Sequence, residues 1–194
     1  MKLILATHNS HKVEELKKIL AVQLDGIDLL PYDGPEPIED GETFSENALI
    51  KARAAFSYSG VPTIADDSGI CVEALGGAPG IHSARFAGTR VDADNVAKLL
   101  EVMKHQANRR AEFHCAAAFV TDGFEHVEVG VWPGSVLFAT QGTNGFGYDP
   151  VFEPEGYNVA SAQLSSAQKN AISHRRRAFS QLMPIVRNRL LGQE

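Results

Sequence analysis

Seven of the eight side chains in residues 113–120 (Phe-His-Cys-Ala-Ala-Ala-Phe-Val) are apolar. A segment that short and that continuously apolar suits a central strand, which needs helices or further strands to cover both of its faces. The rest of the chain supplies them. Residues 2–6 read as a short buried strand. Val13, Leu16, Ile19 and Leu20 then recur on one helical face behind Asn9 or Ser10 as N-cap. Thr43-Phe44-Ser45-Glu46 is a capping box whose helix carries Phe44, Ala48, Ala52 and Phe56 on to Gly60. Residues 61–65 read as a strand closed by the turn-like Asp66-Asp67-Ser68-Gly69.

Asp92 is read as the cap of a helix bearing Val96, Leu99, Leu100 and Met103, and residues 127–131 and 135–139 as a hairpin around Pro133-Gly134. Residues 31–41, 76–80 and 142–150 are loops by their glycine and proline content. A last helical region begins near Ser173. Pro184 either ends it at Met183 or opens a second helix as its N1 residue. Strands and helices mixed without strict alternation predict an α/β or α+β fold with a partly antiparallel sheet. No internal repeat or linker divides the 194 residues, which suit one domain over 1–194 or two lobes sharing a core.

Charge narrows the partner. The net charge of −6 disfavours a dedicated nucleic-acid binder, yet residues 156–193 hold six bases and no acid while residues 1–155 hold 23 acids and 12 bases. Cys71 and Cys115 sit in apolar stretches without zinc spacing. The apolar start of the chain is too short for a signal peptide. Residues 129–148, the longest stretch free of charge, are too broken by polar residues, glycine and proline to span a membrane. The expectation is a soluble, cytoplasmic protein.

Five groups of residues carry chemistry. Thr7, His8, Asn9, Ser10, His11 and Lys12 join the first strand to the first helix, where free backbone N–H groups favour anions. Lys12, disfavoured there by the macrodipole, is either an anion ligand or a solvated lysine. Adjacent Asp66 and Asp67 are either an ordinary turn or a metal-and-water pair. If the strand persists through them they face opposite sides and differ in role. Glu36, Glu39, Asp40 and Glu42 crowd a loop from which one acid could reach Mg²⁺, and Asn47 and Lys51 edge a buried helical face. Phe146-Gly147-Tyr148-Asp149 offers a ring for base stacking or for core packing, and Lys169, Ser173, His174 and Arg175 add donors. Together these describe a site for a small polyanion.

Several motifs then resemble the inosine/xanthosine triphosphate pyrophosphatases, the Ham1-like non-standard purine nucleotide pyrophosphatases. They are Ala6-Thr7-x-Asn9-x-x-Lys12, Glu39-x-Gly41-x-Thr43-Phe44-x-Glu46-Asn47-Ala48-x-x-Lys51-Ala52 and Ile64-Ala65-Asp66-Asp67-Ser68-Gly69. Leu75-Gly76-Gly77-Ala78-Pro79-Gly80-Ile81-x-Ser83-Ala84-Arg85, Gly145-Phe146-Gly147-Tyr148-Asp149-Pro150 and Lys169-x-x-Ile172-Ser173-His174-Arg175 follow in order. The resemblance implies an elongated, two-lobed α/β fold around a mixed, curved sheet, a cleft between the lobes, and a homodimer. It implies Mg²⁺-dependent cleavage of inosine, deoxyinosine or xanthosine triphosphate into a monophosphate and pyrophosphate.

Carried over by position, the resemblance makes Asp67 the catalytic base and metal carboxylate, with Glu39 as second metal residue. Thr7, Asn9, Lys12, Lys51 and Ser68 would grip the phosphates, with His8, Ser10 and His11 of the same loop counted among the substrate-binding residues. Phe146, Gly147, Tyr148, Asp149, Lys169, His174 and Arg175 would surround sugar and base, the Arg175 guanidinium favouring a 6-oxo purine. His8, His11 and Gln168 depart from the family pattern, and Pro184 falls in its last helix. Two rivals remain: a Maf-like pyrophosphatase of thymidine or uridine triphosphate, and a nucleotide-binding module without turnover. An RNA-binding role for residues 156–193 is disfavoured, because only Tyr157 and Phe179 interleave its bases.

Overall fold

The computed structural model describes residues 1–192. Its strands are β1 (Lys2–Leu5), β2 (Asp28–Pro31), β3 (Thr63–Val72), β4 (Arg110–Thr121), β5 (Phe124–Val136) and β6 (Phe152–Pro154). Its helices are α1 (Ser10–Leu20), α2 (Phe44–Ser59), α3 (Asp92–Val102), α4 (Ser166–Ile172) and α5 (His174–Leu191). The strands form one mixed sheet in the order β2-β1-β3-β4-β5-β6. β1 runs parallel to β2, pairing Leu3 with Leu29, and parallel to β3, pairing Leu5 with Ile64; β5 and β6 are antiparallel.

The chain divides into two compact units. The first comprises residues 1–67, 115–130 and the C-terminal segment from His174; the second comprises residues 68–114 and 131–173. β3, β4 and β5 each contribute residues to both.

In the first unit the strand period of two sorts side chains onto opposite faces. Leu3, Leu5, Ile64, Cys115, Ala117 and Phe119 pack with Leu16, Ile19 and Leu20 of α1 and Phe179, Leu182, Met183 and Val186 of α5. Ile4, Ala6, Ala65, Ala116, Ala118 and Val120 face the other way, against Ala48, Ala52 and Ala55 of α2. The capping box expected at Thr43 is present, and Gly60 closes α2 in the left-handed conformation. The second unit has its own core, in which Ile70, Val72, Leu99 and Met103 surround the Phe113, Trp132 and Phe152 rings. Phe152 meets Phe113 edge-on at 4.6 Å and lies 5.2 Å from Trp132.

Five local expectations change. Asp66-Asp67-Ser68-Gly69 is the middle of β3, not a turn. Gly69 serves close approach instead: a Cβ there would collide with the Gly80 carbonyl and the Ser83 hydroxyl. The hairpin forms at Asp122-Gly123 between β4 and β5, an Asp-Gly turn with Gly123 at φ +63°. Pro133-Gly134 lies within β5, and the bare Gly134 lets the Phe152 ring and Glu153 carbonyl of β6 close in.

β2 is an edge strand ended by Pro31, too short for periodicity to register. Asp92 is the first residue of α3 rather than its cap, which is Val91. Two helices flank Ser173, and α5 runs through Pro184. The proline is exposed while Leu182, Met183 and Val186 beside it are buried, so packing outweighs the missing hydrogen bond.

Candidate active site

β1 ends in a polar connection to α1. Asn9 caps that helix, its side-chain oxygen accepting from the Lys12 amide at 3.1 Å, and the Thr7 hydroxyl accepts from the Asn9 amide at 3.2 Å. Ser10 and His11 are exposed in the first turn. His8 lies 5.5 Å from the Tyr32 ring, with Nδ1 3.1 Å from Glu36. The cap orients the opening turn, and its remaining N–H groups form an anion-favouring end.

Lys12 reaches the neighbouring strand, its Nζ 3.0 Å from Asp66 Oδ2. The same oxygen accepts from Arg175 Nε at 3.2 Å, and Arg175 Nη1 donates to Glu15 Oε2 at 2.7 Å. Glu15, Asp66 and Arg175 are all buried. Burial alone would raise the Asp66 carboxyl, but Lys12, Arg175 and Lys51 outweigh it and hold Asp66 far below the usual carboxylate range. Burial, reinforced by Asp66, pushes the Cys115 thiol up and leaves it a packed, unreactive group.

On the opposite face of β3, Asp67 Oδ1 accepts from Lys51 Nζ at 2.9 Å, and the same ammonium lies 3.1 Å from Glu39 Oε2. Burial raises the Asp67 carboxyl above its ordinary value, with Lys51 and Lys12 opposing. For Lys51, burial works against the charged form, but Asp67, Asp66 and Glu39 overcome it and raise the ammonium. The pair differs because the pleat sends one aspartate to α1 and α5 and the other to α2.

A second cluster belongs to the second unit. Asp149, buried, accepts from Lys169 Nζ at 2.6 Å and from the Phe146 amide at 2.9 Å through Oδ2. Its Oδ1 accepts from the Ser161 hydroxyl at 2.6 Å. Lys169 Nζ stands 4.9 Å from the centroid of the half-buried Phe146 ring. The Gly147 amide donates to Asp92 Oδ2 at 2.7 Å. The Tyr148 ring sits in the core and its hydroxyl donates to the Ser83 carbonyl at 2.8 Å.

The predicted residues therefore fall into two groups. Thr7, His8, Asn9, Ser10, His11, Lys12, Glu39, Lys51, Asp67, His174 and Arg175 belong to the first unit, and Ser68, Phe146, Gly147, Tyr148, Asp149 and Lys169 to the second. Arg175, expected beside the base, is buried against Glu15 and Asp66, and His174 is buried next to it. Sequence reading gave no site role to Glu15, Ser83, Asp92 or Ser161. Glu15 had a usable signal, a charge one helical turn from Ile19 on the buried face of α1.

The acids suit a hard divalent cation. Asp67 and Glu39 already converge on one positive charge, the Lys51 ammonium, and offer only oxygen. Among the described residues no group of three or more His, Cys, Asp or Glu side chains could hold a metal. An ion here would rest on two carboxylates and complete its shell with water and phosphate, the habit of Mg²⁺.

The description "Ham1 family" attaches to a model that matches residues 3–185. The chain is 48% identical over 191 residues to a dITP/XTP pyrophosphatase of Leifsonia xyli, covering 96% of each. It is 50% identical over 200 residues to the dITP/XTP pyrophosphatase of Streptomyces avermitilis, covering 98% of this chain and 99% of that one. The solved structure of a HAM1 protein from Coxiella burnetii superposes with a TM-score of 0.87 at 39% identity, covering 96% and 98% of the two chains.

Proposed function

Since the chain belongs to the Ham1 family, we propose that it hydrolyses non-standard purine nucleoside triphosphates (those of inosine, deoxyinosine and xanthosine) to a monophosphate and pyrophosphate, clearing them from the nucleotide pool. The observation that carries the reading is the Asp67–Lys51–Glu39 arrangement beside the Lys12 end of α1. It combines a carboxylate raised above its ordinary value with two lysines and a helix N-terminus, in one unit.

Asp67, made more basic by burial, accepts the proton of the attacking water. Lys12 and Lys51 neutralise charge that builds on the phosphates, while the first-turn amides of α1 and the side chains of Thr7, His8, Asn9, Ser10, His11 and Ser68 bind and orient them. Asp66 fixes the Lys12 ammonium and, through Arg175, the start of α5. Mg²⁺, held by Glu39 and Asp67, supplies further neutralisation of phosphate charge when bound. Phe146 forms the platform for the base, with Gly147, Tyr148, Asp149 and Lys169 of the same unit defining its surroundings.

We place the protein in the cytoplasm as a homodimer. No described helix is long and apolar enough to cross a membrane, and light scattering after gel filtration tests the dimer. The test of function is pyrophosphate release, with Mg²⁺, from ITP, dITP, XTP, ATP, GTP and dTTP. Preference for the inosine and xanthosine nucleotides is expected. Preference for dTTP would favour the Maf-like alternative, binding without release the non-catalytic one, and orthophosphate as the direct product would remove the reading altogether.

A further inference from the structure

Phe146 lies between Gly145 (φ +75°) and Gly147 (φ +61°), both in the left-handed region. A ring flanked by two such residues is not oriented by its own backbone preferences, because glycine leaves many conformations accessible. Its orientation must come from bonds to the rest of the unit. Two consecutive amides, those of Phe146 and Gly147, each donate to a carboxylate: Asp149 Oδ2 at 2.9 Å and Asp92 Oδ2 at 2.7 Å.

Asp149 is held in turn. Its Oδ2 also receives Lys169 Nζ at 2.6 Å, and its Oδ1 receives the fully buried Ser161 hydroxyl at 2.6 Å. Lys169, fixed by that carboxylate, stands over the Phe146 ring. Asp92 arrives from outside the loop, at the first turn of α3. Ser161 comes from a short 3-10 turn before α4, whose Ala162 carbonyl accepts the Asn144 amide at 3.0 Å.

Resting on the reading of Phe146 as the base platform, we propose that Ser161 and Asp92 are positioning residues for recognition of the base. Ser161 sets the Asp149 carboxylate and thereby Lys169 and the Phe146 amide, while Asp92 sets the Gly147 amide. Neither takes part in phosphate cleavage. Both belong to the second unit, whereas Lys12, Lys51 and Asp67 belong to the first. Loss of either should weaken the grip on the nucleoside and leave the grip on phosphate intact.

The experiment compares wild type with S161A, D92A and D92N, using ITP as substrate and inorganic tripolyphosphate as competitive inhibitor. S161A and D92A should each raise KM for ITP about tenfold, the scale of one lost hydrogen bond to a charged group. Their kcat should stay within about twofold, and the inhibition constant of tripolyphosphate should not change. D92N, whose amide oxygen still accepts from the Gly147 N–H, should return KM to near the wild-type value. Because Asp92 is exposed, this pair decides the question even where S161A fails to fold.

An unchanged KM with reduced kcat would mean a purely structural role and overturn the proposal. So would a parallel rise in KM and in the tripolyphosphate constant, or a D92N variant no better than D92A. A wild-type protein inert toward ITP would instead sink the pyrophosphatase reading, and this proposal with it.

Discussion

Asp66 and Asp67 are neighbours on β3 with identical side chains, yet the two faces of the strand treat them oppositely. On the face toward α1 and α5, Asp66 is surrounded by cations and held far below the ordinary carboxylate range. On the face toward α2, Asp67 has one lysine shared with Glu39, and burial lifts it above its ordinary value. A carboxylate gripped by two cations makes a poor base and a good structural anchor. One that is desolvated and only partly compensated makes a base. A single residue step along a strand thus separates a carboxylate locked by cations from one raised by burial.

The sharpest way to break this comparison is Asp67→Asn. It should lower kcat by about 10³-fold, within the range for loss of a positioned general base, and leave the thermal midpoint nearly unchanged. Pyrophosphate release checks the first and calorimetry the second; near-normal turnover would remove Asp67 from its role.

Asp66→Asn should do the reverse, costing about 3–5 kcal/mol of stability in urea unfolding, because it strips a buried partner from Lys12 and Arg175. The pH signs also oppose. Since Asp66 is depressed in the folded state, its stabilisation is full above the unfolded carboxyl value of about 3.9 and is lost as pH falls below it. Asp66→Asn should therefore flatten the acid limb of the stability curve. Asp67 is raised, so protonating it on acidification relieves a cost rather than removing a support. An acid limb unchanged in the Asp66 variant would contradict this assignment.

Lys51→Met tests the bridge on the Asp67 face. Two acids left without their shared cation should lower kcat/KM by about 10²-fold, a charge-stabilising loss of the kind seen when one oxyanion donor is removed. Chelation with EDTA should abolish turnover in wild type, and readdition of Mg²⁺ should restore it. The smallest effect is expected at the α1 cap, where Asn9→Ala should cost about 1 kcal/mol of stability. An unchanged urea midpoint would mean that the cap does not support the Lys12 turn.

Legibility followed the range of the interactions involved. The capping box at Thr43, the Asn9 cap and the apolar strand through residues 113–120 depend on neighbours within a few positions, and each lies where its pattern predicts. The Asp122-Gly123 hairpin was equally local and was passed over in favour of Pro133-Gly134. The Asp66-to-Gly69 stretch misled for a different reason. Its residues favour turns, but pairing with Lys12, Arg175 and Lys51 and the closeness of Gly80 to Gly69 keep it in the sheet. Pro184 likewise ends helices on local grounds and stays inside α5 because its flanks are buried.

The order of motifs, the residue types at Lys12, Glu39, Lys51, Asp67 and Phe146, and the family were determined by the amino-acid sequence alone, since chemistry-bearing side chains at set spacings are visible in one dimension. Partnership was not. That Arg175 turns inward to Glu15 and Asp66, and that Ser161 and Asp92 hold the ring-bearing loop, are contacts across 12 to 160 residues. Only the tertiary structure decides them, because burial and the pleat of β3, not residue type, choose which charges meet.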